Sequence, residues 1–317
     1  MPKSRKILTT KDVPSQFLEA AFMVGHVPQM ALQSDPRISY SLYVPPEPYK
    51  SLAANPGDSK SKKLPLLVNI HGTRRNLSAI YGEFKTFADS TPCAVLQPLF
   101  PAGLEGPNDL DSYKKLRSKS VCSDLALLSI LDEVATRWPH IDTDRIFLMG
   151  FSGGGQFAQR FLYIYPDRLF AVSIGAPGKV TLLNDQQDWP KGTKNVQHVF
   201  DRPVNLSLIK AVDIHMVVGS KDTGAHGGDD FKKWQQAMKV KVKDAGSNEE
   251  ATLTSNIDAS GVGQGRLGTL QEVQRSWKEQ GIETRLDIVD GVGHSADGVR
   301  GCVLDFFRHL MQEYNKT

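Results

Sequence analysis

Cysteine is scarce in this chain, with 3 in 317 residues, at Cys93, Cys122 and Cys302. An odd, widely spaced set embedded in apolar patterns argues against a disulfide framework and lacks the paired spacing of a zinc site. The three are expected as small core hydrophobes, a free reactive thiol being the alternative. Long hydrophobic runs are lacking too. The stretch 64–70, broken by Pro65 and Asn69, falls far short of the roughly 18 apolar residues that span a bilayer, so no membrane partner is expected. Charge of one sign is not in excess: 38 Lys+Arg against 35 Asp+Glu leave a formal +3, which points to neither nucleic acid nor an anionic surface. The N-terminal residues 1–8 are basic but carry no apolar stretch of a secretory signal, so the expected location is the cytoplasm.

What is present is a regular alternation of short apolar runs with longer segments of helical period, the pattern of a parallel sheet with crossover helices. The fold class is therefore α/β, with strands expected at 38–44, 64–70, 94–99, 145–149, 169–174, 213–219 and 284–289. Most of these runs are continuous rather than alternating, as in a sheet covered on both faces. Over 123–138, Leu125, Leu128, Leu131 and Val134 or Ala135 mark a helix face. The last helix has the clearest stripe, formed by Val299, Cys302, Val303, Phe306, Phe307, Leu310 and Met311. No boundary divides the chain, so residues 1–317 are read as one domain. Within it, 178–210 is a candidate lid insertion, 223–268 a polar surface excursion and 47–63 an exposed connection.

The strongest local signal is Gly150-Phe151-Ser152-Gly153-Gly154, a G-x-S-x-G pattern directly after an apolar run and directly before a helix-patterned segment. A sharp turn at this junction would lift the serine hydroxyl above the sheet, and the N–H of Gly153 at the helix start would suit an oxyanion. A serine needs a general base, and the base an orienting group. Asp222 follows the run 214–219, and His294 lies in a glycine-rich loop after the last strand. Asp229, Asp230 and Asp290 compete with Asp222 for the acidic role. His215 inside a strand, His309 inside a helix and His140 at a helix end read as packed or solvated.

On Gly150, Ser152, Gly154, Asp222, His294 and His71-Gly72 the chain, from about residue 38 to 314, resembles the α/β-hydrolase superfamily. The resemblance implies a mostly parallel central sheet flanked by helices with a small lid insertion. It also implies Ser152 as nucleophile, His294 as general base and acid, Asp222 as its orienting partner, and the N–H groups of Thr73 and Gly153 as the oxyanion hole. The chain departs from the HGGG form of many lipases, having Thr73-Arg74 after His71-Gly72. Residues 141–154 resemble the esterase and polyhydroxybutyrate-depolymerase-like branch, and are also similar to the stand-alone thiohydrolases found beside fungal polyketide synthases.

The expected activity is cleavage of a carboxylic ester or thioester through an acyl-enzyme. The alternatives are a stand-alone thioesterase that releases a carrier-bound polyketide or acyl chain by hydrolysis or lactonisation, with an acyl carrier protein as partner, and a hydrolase-fold binding protein. Arg74 or Arg75 would bind a substrate carboxylate or phosphate. Leu182, Leu183, Trp189 and Phe200 in the lid suggest an acyl chain as substrate.

The segment 263–268 matches G-x-G-x-x-G, but the residues before it are polar and do not form the buried strand of a dinucleotide site. One acidic pair, Asp229-Asp230, does not make a metal site, so no cofactor and no metal are expected.

Overall fold

The computed structural model describes residues 7–54, 62–224, 233–234, 236–237 and 265–316. Its eight strands are β1 (Gly25–Ala31), β2 (Ser39–Val44), β3 (Leu66–Ile70), β4 (Ala94–Leu99), β5 (Ile146–Phe151), β6 (Leu169–Gly175), β7 (Asp213–Gly219) and β8 (Arg285–Val289). They form one sheet in the order β1-β2-β4-β3-β5-β6-β7-β8. β2 is antiparallel to both β1 and β4, and every later pairing is parallel. The helices are α1 (Pro46–Ala54), α2 (Glu83–Ser90), α3 (Ser123–Arg137), α4 (Gly153–Ile164), α5 (Val196–Phe200), α6 (Leu206–Lys210), α7 (Gly265–Glu279) and α8 (Ala296–Lys316).

Alternate strand residues feed opposite faces, as a pleated sheet requires. Leu66, Val68, Ile70, Ile146, Leu148, Met216 and Val218 join one core with Leu127, Ile130 and Val134 of α3, Phe157 and Phe161 of α4, and Trp277 of α7. Leu67, Val95, Phe147, Met149 and Val217 join the other with Phe84 and Phe87 of α2 and Val303, Phe306, Phe307 and Met311 of α8. Because both faces are covered, the strands read as continuous apolar runs. The topology is that of an α/β-hydrolase sheet.

Of the strands expected from sequence, 94–99 and 213–219 stand as read and the others shift by one or two residues at one or both ends. β1 is an addition. Its sequence GHVPQMA contains a proline and buries one residue, Val27, and its pairing slips between Val27 and Met30. Proline is tolerated there because β1 is an edge strand. The expected exposed connection at 47–63 is corrected over its first part: α1 occupies Pro46–Ala54 and buries Tyr49, whose hydroxyl hydrogen-bonds Thr10 at 2.6 Å. Residues 55–61 lie outside the described residues.

On α3 the buried face is Ala126, Leu127, Ile130, Leu131 and Val134, while Leu125 is exposed. Leucines at 125, 127, 128 and 131 point round more than one side of this helix and left the face ambiguous, and packing on the sheet resolved it. Among the cysteines, Cys93 is core, but Cys302 is half-buried and Cys122 is exposed.

The segment 178–210 carries α5 and α6 and is tied to the body by buried polar contacts. The Thr181 N–H donates to Gln159 Oε1 at 2.9 Å, and the Thr181 carbonyl accepts from Tyr163 Oη at 3.0 Å. Most of the excursion expected at 223–268 lies outside the described residues.

Candidate active site

β5 ends at Phe151 and α4 starts at Gly153, leaving Ser152 alone at the turn with φ 57° and ψ −110°. A non-glycine residue in such a conformation costs about 1–3 kcal/mol and persists only where its surroundings impose it. Here the imposition is visible. The Ser152 N–H donates to Gly175 O of β6 at 2.8 Å, and the Ser152 carbonyl accepts from Gln156 N at 3.1 Å. A Cβ at Gly150 would overlap Gly154 O, and one at Gly154 would overlap Ile70 O. The glycines of the pattern thus let the start of α4 press against β3 and β5, which forces the serine into the turn.

β7 and β8 lie next in the sheet order after β6, so their carboxyl ends open on the same edge as that of β5. Asp222 closes a turn after β7, its N–H donating to Gly219 O at 3.0 Å. The loop after β8 is laced to that turn: Ser220 N donates to Val289 O at 2.9 Å and Lys221 N to Val292 O at 2.8 Å. His294 Nδ1 and Asp222 Oδ2 are 2.6 Å apart, with Asp222 4% exposed and the His294 side chain 32% exposed. The imidazole packs on the ring of Phe151, the residue before Ser152, with centroids 4.8 Å apart. The three candidate residues therefore lie at one edge of the sheet, the histidine touching the aspartate and the ring of the residue before the serine, and the histidine remains open to solvent.

Of the competing acids, Asp290 accepts from Ser220 Oγ at 3.2 Å, while Asp229 and Asp230 lie outside the described residues. Thr73 is buried, and its hydroxyl lies 2.9 Å from where a Cβ on Gly153 would sit, so the two expected oxyanion donors belong to neighbouring residues in space. His71 is buried with both ring nitrogens engaged by backbone: Nε2 accepts from Phe100 N at 3.0 Å, and Nδ1 lies 2.9 Å from Gly72 O. Burial pushes its pKa down to about 3.

The two arginines differ. Arg75 is spent on main chain, donating to Thr73 O, Phe100 O and Leu110 O at 2.6, 3.1 and 3.2 Å. Arg74 is exposed. Trp189 packs edge-on to Phe200, and its indole N–H donates to Lys115 O at 2.8 Å, so its contacts tie the insertion to the body.

Sequence reasoning missed Arg266. Its Nη1 lies 3.4 Å from Asp222 Oδ1, and the N–H groups of Arg266 and Leu267 donate to Asp222 O at 3.1 and 3.2 Å. Burial lowers the Arg266 pKa, and Asp222 opposes that shift. The start of α7 thus braces the acid from behind. Arg266 sits in the G-x-G-x-x-G stretch, where the glycines drew attention and the arginine between them was the informative residue; 263 and 264 lie outside the described residues.

Among the described residues no group of three or more His, Cys, Asp or Glu side chains is placed to hold a metal ion, and no helix is long and apolar enough to cross a membrane.

No protein-family model and no curated protein matches the chain. Solved structures do. A poly(3-hydroxybutyrate) depolymerase from Bordetella parapertussis is 18% identical with a TM-score of 0.59, covering 95% of this chain and 94% of its own. Poly(aspartic acid) hydrolase-1 from Sphingomonas sp. KT-1 is 18% identical with a TM-score of 0.56, covering 84% and 92%. A fluorophosphonate-binding serine hydrolase of Staphylococcus aureus is 12% identical with a TM-score of 0.52, covering 90% and 98%. At these identities the likeness is one of architecture: the chain has the α/β-hydrolase fold.

Proposed function

We propose that the protein is a serine hydrolase that cleaves a carboxylic ester or thioester through an acyl-enzyme on Ser152. The observation that carries this reading is the 2.6 Å contact between His294 Nδ1 and Asp222 Oδ2, set beside a serine held at φ 57° between strand and helix. A proton on Nδ1 is donated to the carboxylate, which leaves the Nε2 lone pair to accept the serine proton. The Ser152 oxygen then attacks the acyl carbonyl, and the resulting oxyanion is held by the Gly153 and Thr73 N–H groups at the positive end of α4. As the tetrahedral adduct collapses, the imidazolium returns its proton to the leaving alcohol or thiol. Water, deprotonated by His294, releases the acid and restores the serine.

Arg266 keeps Asp222 in place and offsets the cost of burying its charge. The fold likeness to a depolymerase, a poly(aspartic acid) hydrolase and a fluorophosphonate-binding serine hydrolase supports the reading at the level of hydrolysis.

The test is the intact mass after exposure to a fluorophosphonate, beside Ser152→Ala. One stoichiometric adduct absent from the variant is expected. A folded protein that takes no adduct, or a variant that still takes one, overturns the assignment.

A further inference from the structure

The oxyanion side of the site has a cation that the reaction as drawn does not use. The turn Ser112–Lys115 lies against the start of α4. A Cβ on Gly153 would come within 2.5 Å of Tyr113 Oη and 2.9 Å of Lys114 Cε. The Lys114 side chain therefore runs along the backbone of the residue that follows the nucleophile. Lys114 is 5% exposed, and among the described residues its ammonium has one hydrogen-bond partner, the carboxylate of Asp111, whose own side chain is 60% exposed. The ammonium end thus points toward the side from which solvent reaches Asp111.

Positive charge accumulates around it. Arg160 of α4 is buried, its Nε donating to Thr181 Oγ1 at 2.9 Å and its Nη1 to Lys114 O at 2.6 Å and Gln156 Oε1 at 3.3 Å, with none of these partners a carboxylate. Arg75 spends its donors on three carbonyls and lies over the Tyr113 ring, 4.9 Å from its centroid. Asp109, the other acid nearby, accepts from Glu105 N, Asp111 N, Ser112 N and Ser112 Oγ. Around the proposed oxyanion hole three buried or half-buried cations thus share one contacting carboxylate.

Unbalanced charge in a poorly solvated place is costly unless an anion arrives to balance it. Each nitrogen of the Arg75 guanidinium donates to a carbonyl, and Arg160 donates through Nε and Nη1 to one hydroxyl and two carbonyl oxygens. Lys114 has donors to spare.

We propose that Lys114, poised by Asp111, is a subsite for an anionic group carried on the acyl part of the substrate, a carboxylate a short chain away from the scissile carbonyl. The assignment rests on the serine-hydrolase reading above and supplies its substrate class: an ester or thioester of a dicarboxylic or similarly anionic acyl group. It takes over the anion-binding role that the sequence suggested for Arg74 or Arg75. A lysine suits the role because its compact ammonium can exchange one carboxylate for another without a fixed bidentate geometry.

The test compares kcat/KM for p-nitrophenyl hydrogen adipate and its neutral isostere p-nitrophenyl hexanoate in the full chain. The adipate-to-hexanoate ratio is expected to fall about tenfold or more in Lys114→Met, chiefly through KM, and to recover in part in Lys114→Arg. Asp111→Asn, which removes the competing carboxylate, is expected to raise the ratio severalfold, a direction that misfolding does not produce. A ratio unchanged in both Lys114→Met and Asp111→Asn, or equal losses on both esters, overturns the proposal and leaves Lys114 a general or structural charge.

If the wild type turns over neither ester and takes no fluorophosphonate, the hydrolase reading fails. The subsite is then read directly by calorimetric titration of adipate into Ser152→Ala and Ser152→Ala/Lys114→Met. Binding lost only in the double variant supports the subsite, while equal binding in both, or none in either, overturns it.

Discussion

Among the described residues two sets of serine, histidine and aspartate differ in almost everything but composition. One is Ser152, His294 and Asp222 at the carboxyl edge of the sheet. The other, Ser173, His215 and Asp287, runs sideways across β6, β7 and β8: Ser173 Oγ lies 2.9 Å from His215 Nδ1, and His215 Nε2 lies 3.3 Å from Asp287 Oδ2. In the inner set the serine and histidine are 1% and 0% exposed, the imidazole stacks on Phe306 of α8, and Asp287 is also held by Arg285 at 2.7 Å. Both imidazole nitrogens are engaged, and no substrate atom can reach the serine. In the outer set the serine stands at a strained turn, and the histidine keeps a third of its side chain in solvent. The same three residue types therefore make a structural strut inside a sheet and a candidate reaction centre at its edge. Strand ends, unlike strand centres, can offer a side chain to a ligand while their backbone stays hydrogen-bonded.

Substitution should separate the two sets. Ser152→Ala is expected to lower kcat by about 10⁴-fold or more with little loss of stability, whereas Ser173→Ala should leave turnover within about threefold. Steady-state kinetics beside a urea titration would show it, and equal loss of turnover in two folded variants would break the comparison. His294→Ala should remove nearly as much activity as Ser152→Ala. His215→Gln should instead cost about 2–3 kcal/mol of unfolding free energy, measured by urea denaturation, because it disturbs a buried hydrogen-bonded side chain.

Acid should weaken the fold at its buried histidines, His215 of the inner set among them. Burial lowers the His215 pKa to about 4, below the ordinary imidazole value near 6.5, so the unfolded chain binds that proton more readily than the folded one. Its contribution is complete above about pH 6.5 and declines as the pH falls toward 4, by up to roughly 3 kcal/mol on the linkage relation. His71, lowered to about 3, acts in the same direction and over a wider range. Urea midpoints across pH 4–7 should show this decline, with His215→Gln flattening it; a variant that keeps the full slope would remove His215 as its source. A smaller loss of activity than at Ser152 or His294 is expected behind the outer set. Arg266→Met should lower kcat about tenfold while leaving KM nearly unchanged, since the arginine positions Asp222 and does not meet the substrate.

How much of this could be read in the chain varies by region, for physical reasons. The covered strands were legible because burial on both faces demands continuous apolar runs, as in Phe147-Leu148-Met149. β1 was not, because an edge strand with Pro28 and one buried residue carries almost no burial signal. α1 was hidden in a stretch whose proline and lysine resemble a linker, although its one buried aromatic, Tyr49, anchors it. At the site, Gly150-Phe151-Ser152-Gly153-Gly154 was legible since turn, close approach and nucleophile are consecutive in sequence. Arg266 and Lys114 were not: each acts on a residue distant in sequence or on a helix start that only folding brings near.

The sequence by itself determined the alternation of strand and helix, the strained serine turn and the order in which serine, aspartate and histidine follow one another, because each is a local consequence of side-chain size, polarity and spacing. Only the tertiary structure decided which histidine keeps an open edge, which aspartate it meets, and which cations gather at the start of α4. Those depend on which strand ends lie side by side and on how far each charge is removed from water, quantities that no stretch of sequence contains.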